Sequence, residues 1–186
     1  YITLEMSEDR VAQRLDSIFT RIKQKELHAR VGDIEDRLKT ISKKTILGKL
    51  RIKEFPTKRA SVTQLRAFIY QLQSHEDFTP DVVIIDYLEL MSSDSKAPEY
   101  QNQERQAQDL RGLAIELKCL VWTATQTNRE GKRVKIITDA ELADSYGKTR
   151  VCDLVFSVNQ TEEEFDEGLV RLYIIKSRNG RARFVI

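Results

Sequence analysis

Apolar positions follow two periods along this chain. From Val82 to Ile85 four β-branched residues run without a polar break, and Leu120 to Thr125 is a second, mainly apolar run. Both predict strands buried on two faces, as in a parallel sheet covered by helices. Tyr1 to Leu4 predicts a further strand, and Leu50 to Phe55, alternating apolar with charged residues before Pro56, a half-buried one. Helical spacing takes over between them. Ser7 precedes the acidic pair Glu8 and Asp9 and the stripe Val11, Leu15, Ile18, Ile22, which predicts a capped helix packing that stripe into a core. Ser61 and Gln64 form a capping box ahead of Leu65, Ile69 and Leu72, and Ala107, Leu110, Ala114 and Leu117 predict a helix from about Glu99 to Lys118. Strand, helix, strand in alternation implies right-handed parallel crossovers, an α/β fold.

Charge patterning marks the remaining segments. Residues from Glu26 to Lys49 are highly charged and weakly periodic, which predicts an exposed helical excursion whose Arg37, Lys39, Lys43, Lys44 and Lys49 form a solvated face. The acidic run Glu162 to Glu164, with Asp166 and Glu167, reads as a solvated loop between the last strands. Leu169 to Ile175 and Arg181 to Ile186 flank Lys176-Ser177-Arg178-Asn179-Gly180. The Asn-Gly step favours a tight turn, so this end reads as a β-hairpin with Lys176 and Arg178 on one face near its tip.

Composition narrows the class without choosing a function. A chain of 186 residues with 40% hydrophobic content can bury a substantial core, so one domain spanning 1–186 is expected. The net charge of +2 does not decide for or against nucleic acid, because local patches hide in a balanced sum. Cys119 and Cys152 adjoin apolar runs and read as small core residues in a reduced compartment, with no credible zinc site. No apolar run is long enough to cross a membrane and no signal peptide is visible, so a cytoplasmic protein is expected.

The chemistry-bearing position is Asp86, at the carboxyl end of the most apolar strand. That edge is where open α/β sheets bind ligands, and an aspartate there can hold magnesium beside the phosphates of a nucleotide. Three more short segments accompany it in order: Ile2-Thr3-Leu4-Glu5-Met6-Ser7, Thr125-Gln126-Thr127-Asn128-Arg129 and Ile175-Lys176-Ser177-Arg178-Asn179-Gly180. With Ile85-Asp86-Tyr87-Leu88-Glu89-Leu90-Met91, they resemble the "SLEMS", "SQLNR", "KQRNG" and "IDYLQLM" segments of the RecA-like ATPase domain of DnaB-type replicative helicases. The resemblance implies a RecA-like, mostly parallel sheet flanked by helices with a C-terminal β-hairpin. It also implies ATP and Mg2+ as cofactors, and an ATP-dependent motor that translocates on single-stranded DNA and unwinds duplex.

Residue roles follow from the same resemblance. Glu5 is implied as the general base that polarises the attacking water, Asp86 as the magnesium holder, and Gln126 as a contact between the terminal phosphate and a DNA-facing loop. Lys176 and Arg178 are implied to reach the nucleotide of a neighbouring subunit, so a homo-hexamer is expected. Without it, Glu5 reads as a helix-flanking residue and the Lys176–Arg178 pair as a solvated basic tip. DNA loops are implied at about Ser92 to Pro98 and Arg129 to Lys135, where Arg129, Lys132, Arg133 and Lys135 supply phosphate-neutralising charge. A primase or a helicase loader is the further partner the family implies.

Two departures stand out. No G-x-x-x-x-G-K-[ST] loop occurs, and the chain opens directly in a strand, which suggests a piece of a longer protein that binds ATP poorly by itself. The stretch Glu141 to Arg150 replaces the usual bacterial segment and resembles instead phage-type or other RecA-superfamily versions. Lys148 and Arg150 there read equally as cations near the neighbour's site or as a surface helix end. A RecA-superfamily recombinase, a regulatory ATPase and a non-catalytic interaction module remain the alternative readings.

Overall fold

The computed structural model describes residues 1–44, 48–93, 96–127, 134–141 and 146–186. A four-stranded sheet has the order β2-β1-β3-β4, with β1 at Ile2–Thr3, β2 at Lys53–Glu54, β3 at Val82–Asp86 and β4 at Leu120–Thr123. Every pairing is parallel. The crossovers α3 (Val62–Glu76) and α4 (Glu99–Leu117) return the chain between strands, as the alternating pattern predicts. Ser61 starts α3 with both halves of a capping box, its hydroxyl accepting from Gln64 N and the Gln64 side chain accepting from Ser61 N at 2.8 Å.

The core lies between this sheet and α3 and α4. Ile2, Leu4, Val83 and Ile85 meet Leu65, Ile69, Leu110 and Leu113, with Leu88 and Met91 closing the cluster beyond β3. The other row of the central strands is only partly covered: Val82, Ile84 and Leu120 stay exposed and Trp122 is 37% exposed, while Thr3 of β1 is buried. The expectation of two buried faces is therefore corrected. Successive strand side chains point to opposite faces, and among the described residues helices of this core cover one of them. The apolar run was right about the strand and wrong about its second neighbour.

The segment from α1 (Glu8–Thr20) to α2 (Val31–Lys44) packs on itself. Ser7 caps α1 by accepting from Arg10 N, and Val11, Thr20, Ile22 and Leu27 are buried. Ile18 departs from the expected stripe, being 69% exposed, and Ile22 is buried beyond Arg21, whose left-handed conformation ends the helix. No residue of α2 is buried, in accord with its charged sequence.

At the carboxyl end, β5 (Leu154–Asn159) pairs antiparallel with β6 (Arg171–Ser177). Residues 181–186 fold back along β6, with Leu172 N donating to Ile186 O and Ile174 N to Phe184 O, which completes the expected hairpin. The positive φ in this return falls at Arg183 and not at Gly180. The acidic run is a helix, α6 (Glu162–Glu167), and not a loop. Thr161 and Glu164 make a second capping box, and Gly168 closes the helix at φ 71°. A short helix α5 (Tyr146–Val151) lies against α4, where a Cβ on Gly147 would come within 2.5 Å of Glu104 Oε2. Trp122 of β4 meets Phe156 of β5 edge to face at 5.4 Å.

Candidate functional site

Parallel register brings three strand ends to one edge. Thr3 lies opposite Asp86, Ile85 lies opposite Thr123, and Leu4 N donates to Asp86 O at 3.0 Å beyond the paired positions. Leu88 N donates to Ala124 O, holding the segment after β3 against the segment after β4. Glu5, Asp86 and Gln126 therefore leave the sheet side by side at its carboxyl edge.

Local chemistry shapes each exit. After β1 the Thr3 hydroxyl accepts from Met6 N and donates to Met6 O, a tight turn that leaves Glu5 exposed just before α1 begins. Asp86 is half-buried, and Tyr1 Oη donates to its Oδ2 at 2.6 Å. Burial, together with the Asp86 carboxylate, pushes the Tyr1 phenol well above its ordinary range, so that group remains a donor. The Asp86–Tyr87 peptide is cis. Tyr87 Oη accepts from Gln126 Nε2 at 3.0 Å, and its phenol is raised first by burial and then by the charges of Glu5, Glu89 and Asp86. Tyr87 is thus ringed by the carboxylates of the edge and tied to its amide.

A hard divalent cation fits this edge in one way. Among the described residues no group of three His, Cys, Asp or Glu side chains converges, so the protein alone offers no cage. It offers one oriented carboxylate at a strand end, the donor set by which magnesium is held jointly with phosphate oxygens and water.

The second cluster lies at the end of β6. Lys176 Nζ donates to Thr149 O at 3.0 Å and Arg150 O at 2.7 Å, so it caps the last carbonyls of α5. Arg178 pairs through Nε with Asp153 Oδ1 at 3.1 Å, and Arg111 Nη1 takes Asp153 Oδ2 at 2.7 Å. The Arg111 hydrogen bond is the largest reason the Asp153 carboxyl sits below its usual range, with Arg178 and Lys176 adding to it. Lys176 lies near the end of β6 and Arg178 just beyond it. None of their polar contacts among the described residues reaches Glu5, Asp86 or Gln126.

Sequence reasoning missed a third group. Lys148 is 6% exposed, so it is neither a free cation nor a surface helix end. Its Nζ donates to Glu89 Oε1 and Gln103 Oε1, both at 2.8 Å, and to Thr125 Oγ1 at 2.9 Å. Glu89 and Thr125 lie within the two segments that carry Asp86 and Gln126, which was the available signal; the partner came from a distant helix.

Of the expected DNA-facing residues, Arg129, Lys132 and Arg133 lie outside the described residues. Lys135 is exposed, and its carbonyl accepts from Arg171 Nη2 at 3.0 Å. Beside Ser92, where the other loop was expected, a cavity of about 360 Å³ is lined by Lys58, Ser92, Glu99, Asn102 and Gln106. Asp94 and Ser95 of that loop also lie outside the described residues. No helix among the described residues is long and apolar enough to cross a membrane.

Comparison with known proteins agrees with this arrangement. The sequence profile of the DnaB-like helicase C terminal domain matches residues 1–185. A DnaB-like replicative helicase of Enterobacteria phage T4 is 27% identical, covering 97% of this chain and 39% of its own. A probable plasmid replicative DNA helicase of Chlamydia psittaci is 28% identical, covering 97% of this chain and 40% of its own. The chain thus spans about two fifths of the length of these curated relatives. Among solved structures, one described as an ATPase domain superposes with a TM-score of 0.76 at 19% identity, over all of this chain and 69% of that one. A DnaB-like replicative helicase described with its interactions with primase gives 0.75 at 19% identity, over all of this chain and 46% of that one. At these identities the structural matches establish the fold.

Proposed function

The chain belongs to the DnaB-like helicase C-terminal domain family, and on that premise we propose that it is the ATP-driven motor domain of a replicative DNA helicase. The observation that carries the reading is the single carboxyl edge on which parallel register gathers Glu5, Asp86 and Gln126. A phosphoryl-transfer site needs groups positioned in that way and little covalent chemistry from the protein.

In this reading Asp86 is the residue that holds magnesium, with the Tyr1 hydroxyl fixing one of its oxygens. The bound metal neutralises charge on the phosphates. Glu5, exposed at its turn, orients the attacking water and accepts its proton. Gln126, steered by Tyr87, faces the terminal phosphate and passes its presence to the segment that follows β4. Lys176 and Arg178 act on a neighbouring copy, while within their own chain they are held against α5 and Asp153. Cations supplied in trans require an oligomer, and heterologous contacts that repeat and close give a ring, which for this family is a homo-hexamer around single-stranded DNA. Arg129, Lys132, Arg133 and Lys135 neutralise the strand's phosphates, which gives binding without sequence preference. A primase or a loader is the expected protein partner, and the cytoplasm of a bacterial or phage-infected cell the expected site of action.

The test is ATP hydrolysis by the full-length protein, with and without single-stranded DNA, beside E5Q and R178A. DNA-stimulated turnover that E5Q abolishes and R178A lowers by about 10³-fold or more supports the motor. Absence of nucleotide binding and hydrolysis in the unaltered protein refutes it.

A further inference from the structure

Lys148 uses all three of its ammonium donors inside the protein. They go to Glu89 just past β3, Gln103 of α4 and Thr125 just past β4, and Thr125 Oγ1 also donates to the same Glu89 oxygen. The pair is desolvated, with side-chain exposures of 8% for Lys148 and 18% for Glu89, and Glu89 Oε2 has no hydrogen-bond partner among the described residues. A buried ion pair with one unsatisfied oxygen is a poor device for stability, because well-packed apolar side chains of similar volume serve as well or better. Its value lies in what it joins. Asp86 and Tyr87 precede Glu89 by three and two positions, and Gln126 follows Thr125 directly. At its other end, α5 receives Lys176 on the carbonyls of Thr149 and Arg150, the residues immediately after Lys148. One helix of six residues is thus pinned to the nucleotide edge on one side and to a cation strand on the other. The Glu89 charge also departs from the family segment it resembles, which has glutamine there.

We infer that Lys148 and Glu89 form a positioning pair that couples a subunit's own nucleotide edge to the Lys176–Arg178 strand it offers to its neighbour. The inference rests on the motor reading above. When Gln126 and the segment after β3 shift with the state of the terminal phosphate, the ion pair carries α5 with them, and Lys176 moves because it is bonded to α5 and not to the edge itself. Such coupling needs a link with a defined geometry, which a multiply bonded ammonium supplies and an apolar contact does not.

The experiment compares the full-length protein with E89Q, K148M and the double variant E89Q/K148M, reading melting temperature, affinity for a fluorescent ATP analogue, and kcat and KM with and without single-stranded DNA. K148M alone leaves a buried carboxylate unpaired and melts lower. The double variant removes both charges and should melt within about 3 °C of the parent. It should keep KM and analogue affinity within about 2-fold while its DNA-stimulated kcat falls about 10- to 100-fold, the size of a positioning loss. E89Q keeps three polar acceptors around Lys148 and should fall between the parent and the double variant in kcat. Parent-like kcat in the double variant overturns the inference, as does a loss of kcat that merely follows melting temperature across the three variants. An unaltered protein that never hydrolyses ATP removes the motor reading and the inference together, an outcome distinct from a working parent with working variants.

Discussion

Two adjacent isoleucines in one strand should differ sharply in what they contribute to stability. Ile85 is 1% exposed within the core cluster, whereas Ile84, its neighbour on the opposite face, is 39% exposed. Truncating either to alanine removes three carbons, a transfer loss of about 2.4 kcal/mol if fully buried. At position 85 the loss is complete and the vacated space lies within the buried core cluster, so a cavity contribution raises the cost to about 3–4 kcal/mol. At position 84 about 60% of the transfer loss applies and solvent fills the gap, giving about 1.5 kcal/mol. The difference, about 2 kcal/mol, is well above the error of urea denaturation on this 186-residue chain, and in a melt it corresponds to about 4–8 °C. Equal costs for I84A and I85A would refute the one-sided core and restore the reading of a strand buried on both faces.

Other outcomes follow from single groups. S61A removes the hydroxyl half of the α3 capping box and should lower stability by about 1 kcal/mol in thermal unfolding, with T161A acting similarly on the exposed α6. The Tyr1 phenol has a folded pKa raised above its unfolded value near 10, so the stability it contributes is fully present below about pH 10 and is lost as pH rises beyond it. Y1F should therefore flatten the alkaline fall in stability between about pH 10 and 12, and an unchanged curve would show that the phenol is not held by Asp86. Burial pushes both Cys119 and Cys152 thiols up, so at pH 8 they should react with a disulfide reagent more slowly than free cysteine, and reaction at the rate of free cysteine would contradict their burial.

Much of the site could be read along the chain because each of its members sits at a punctuation point of local structure. Glu5 lies between a strand and the Ser7 cap, Asp86 ends an apolar run, and Gln126 follows the next, so periodicity marked the strand ends, while the choice of Glu5 and Gln126 there came from the family resemblance. Lys176 and Arg178 at the end of β6 read by themselves as a solvated basic tip, and their role came from the resemblance. Three expectations failed for a shared reason. An apolar residue states a preference for burial but not whether a neighbour is there to provide it, which is why Ile84 and Ile18 were misplaced. Lys148 failed in the opposite sense: a charged residue on a short helix reads as solvated unless its partners are known, and Glu89, Gln103 and Thr125 are 59, 45 and 23 positions away. Thr161 and Glu164 were a missed local signal, since a capping box was legible there and the density of charge obscured it.

What the sequence determined by itself is most of the elements, their order, and the residues available at each strand end, because hydrophobic period, caps and breakers act over a few residues. That order, with the right-handed crossover, is enough to specify a parallel sheet and its functional edge. The tertiary structure decided which face of the sheet is covered, which cations stay in water, and which are drawn inside. Those outcomes depend on side chains brought together from distant positions, where the cost of desolvating a charge is met or not by partners that no local pattern names.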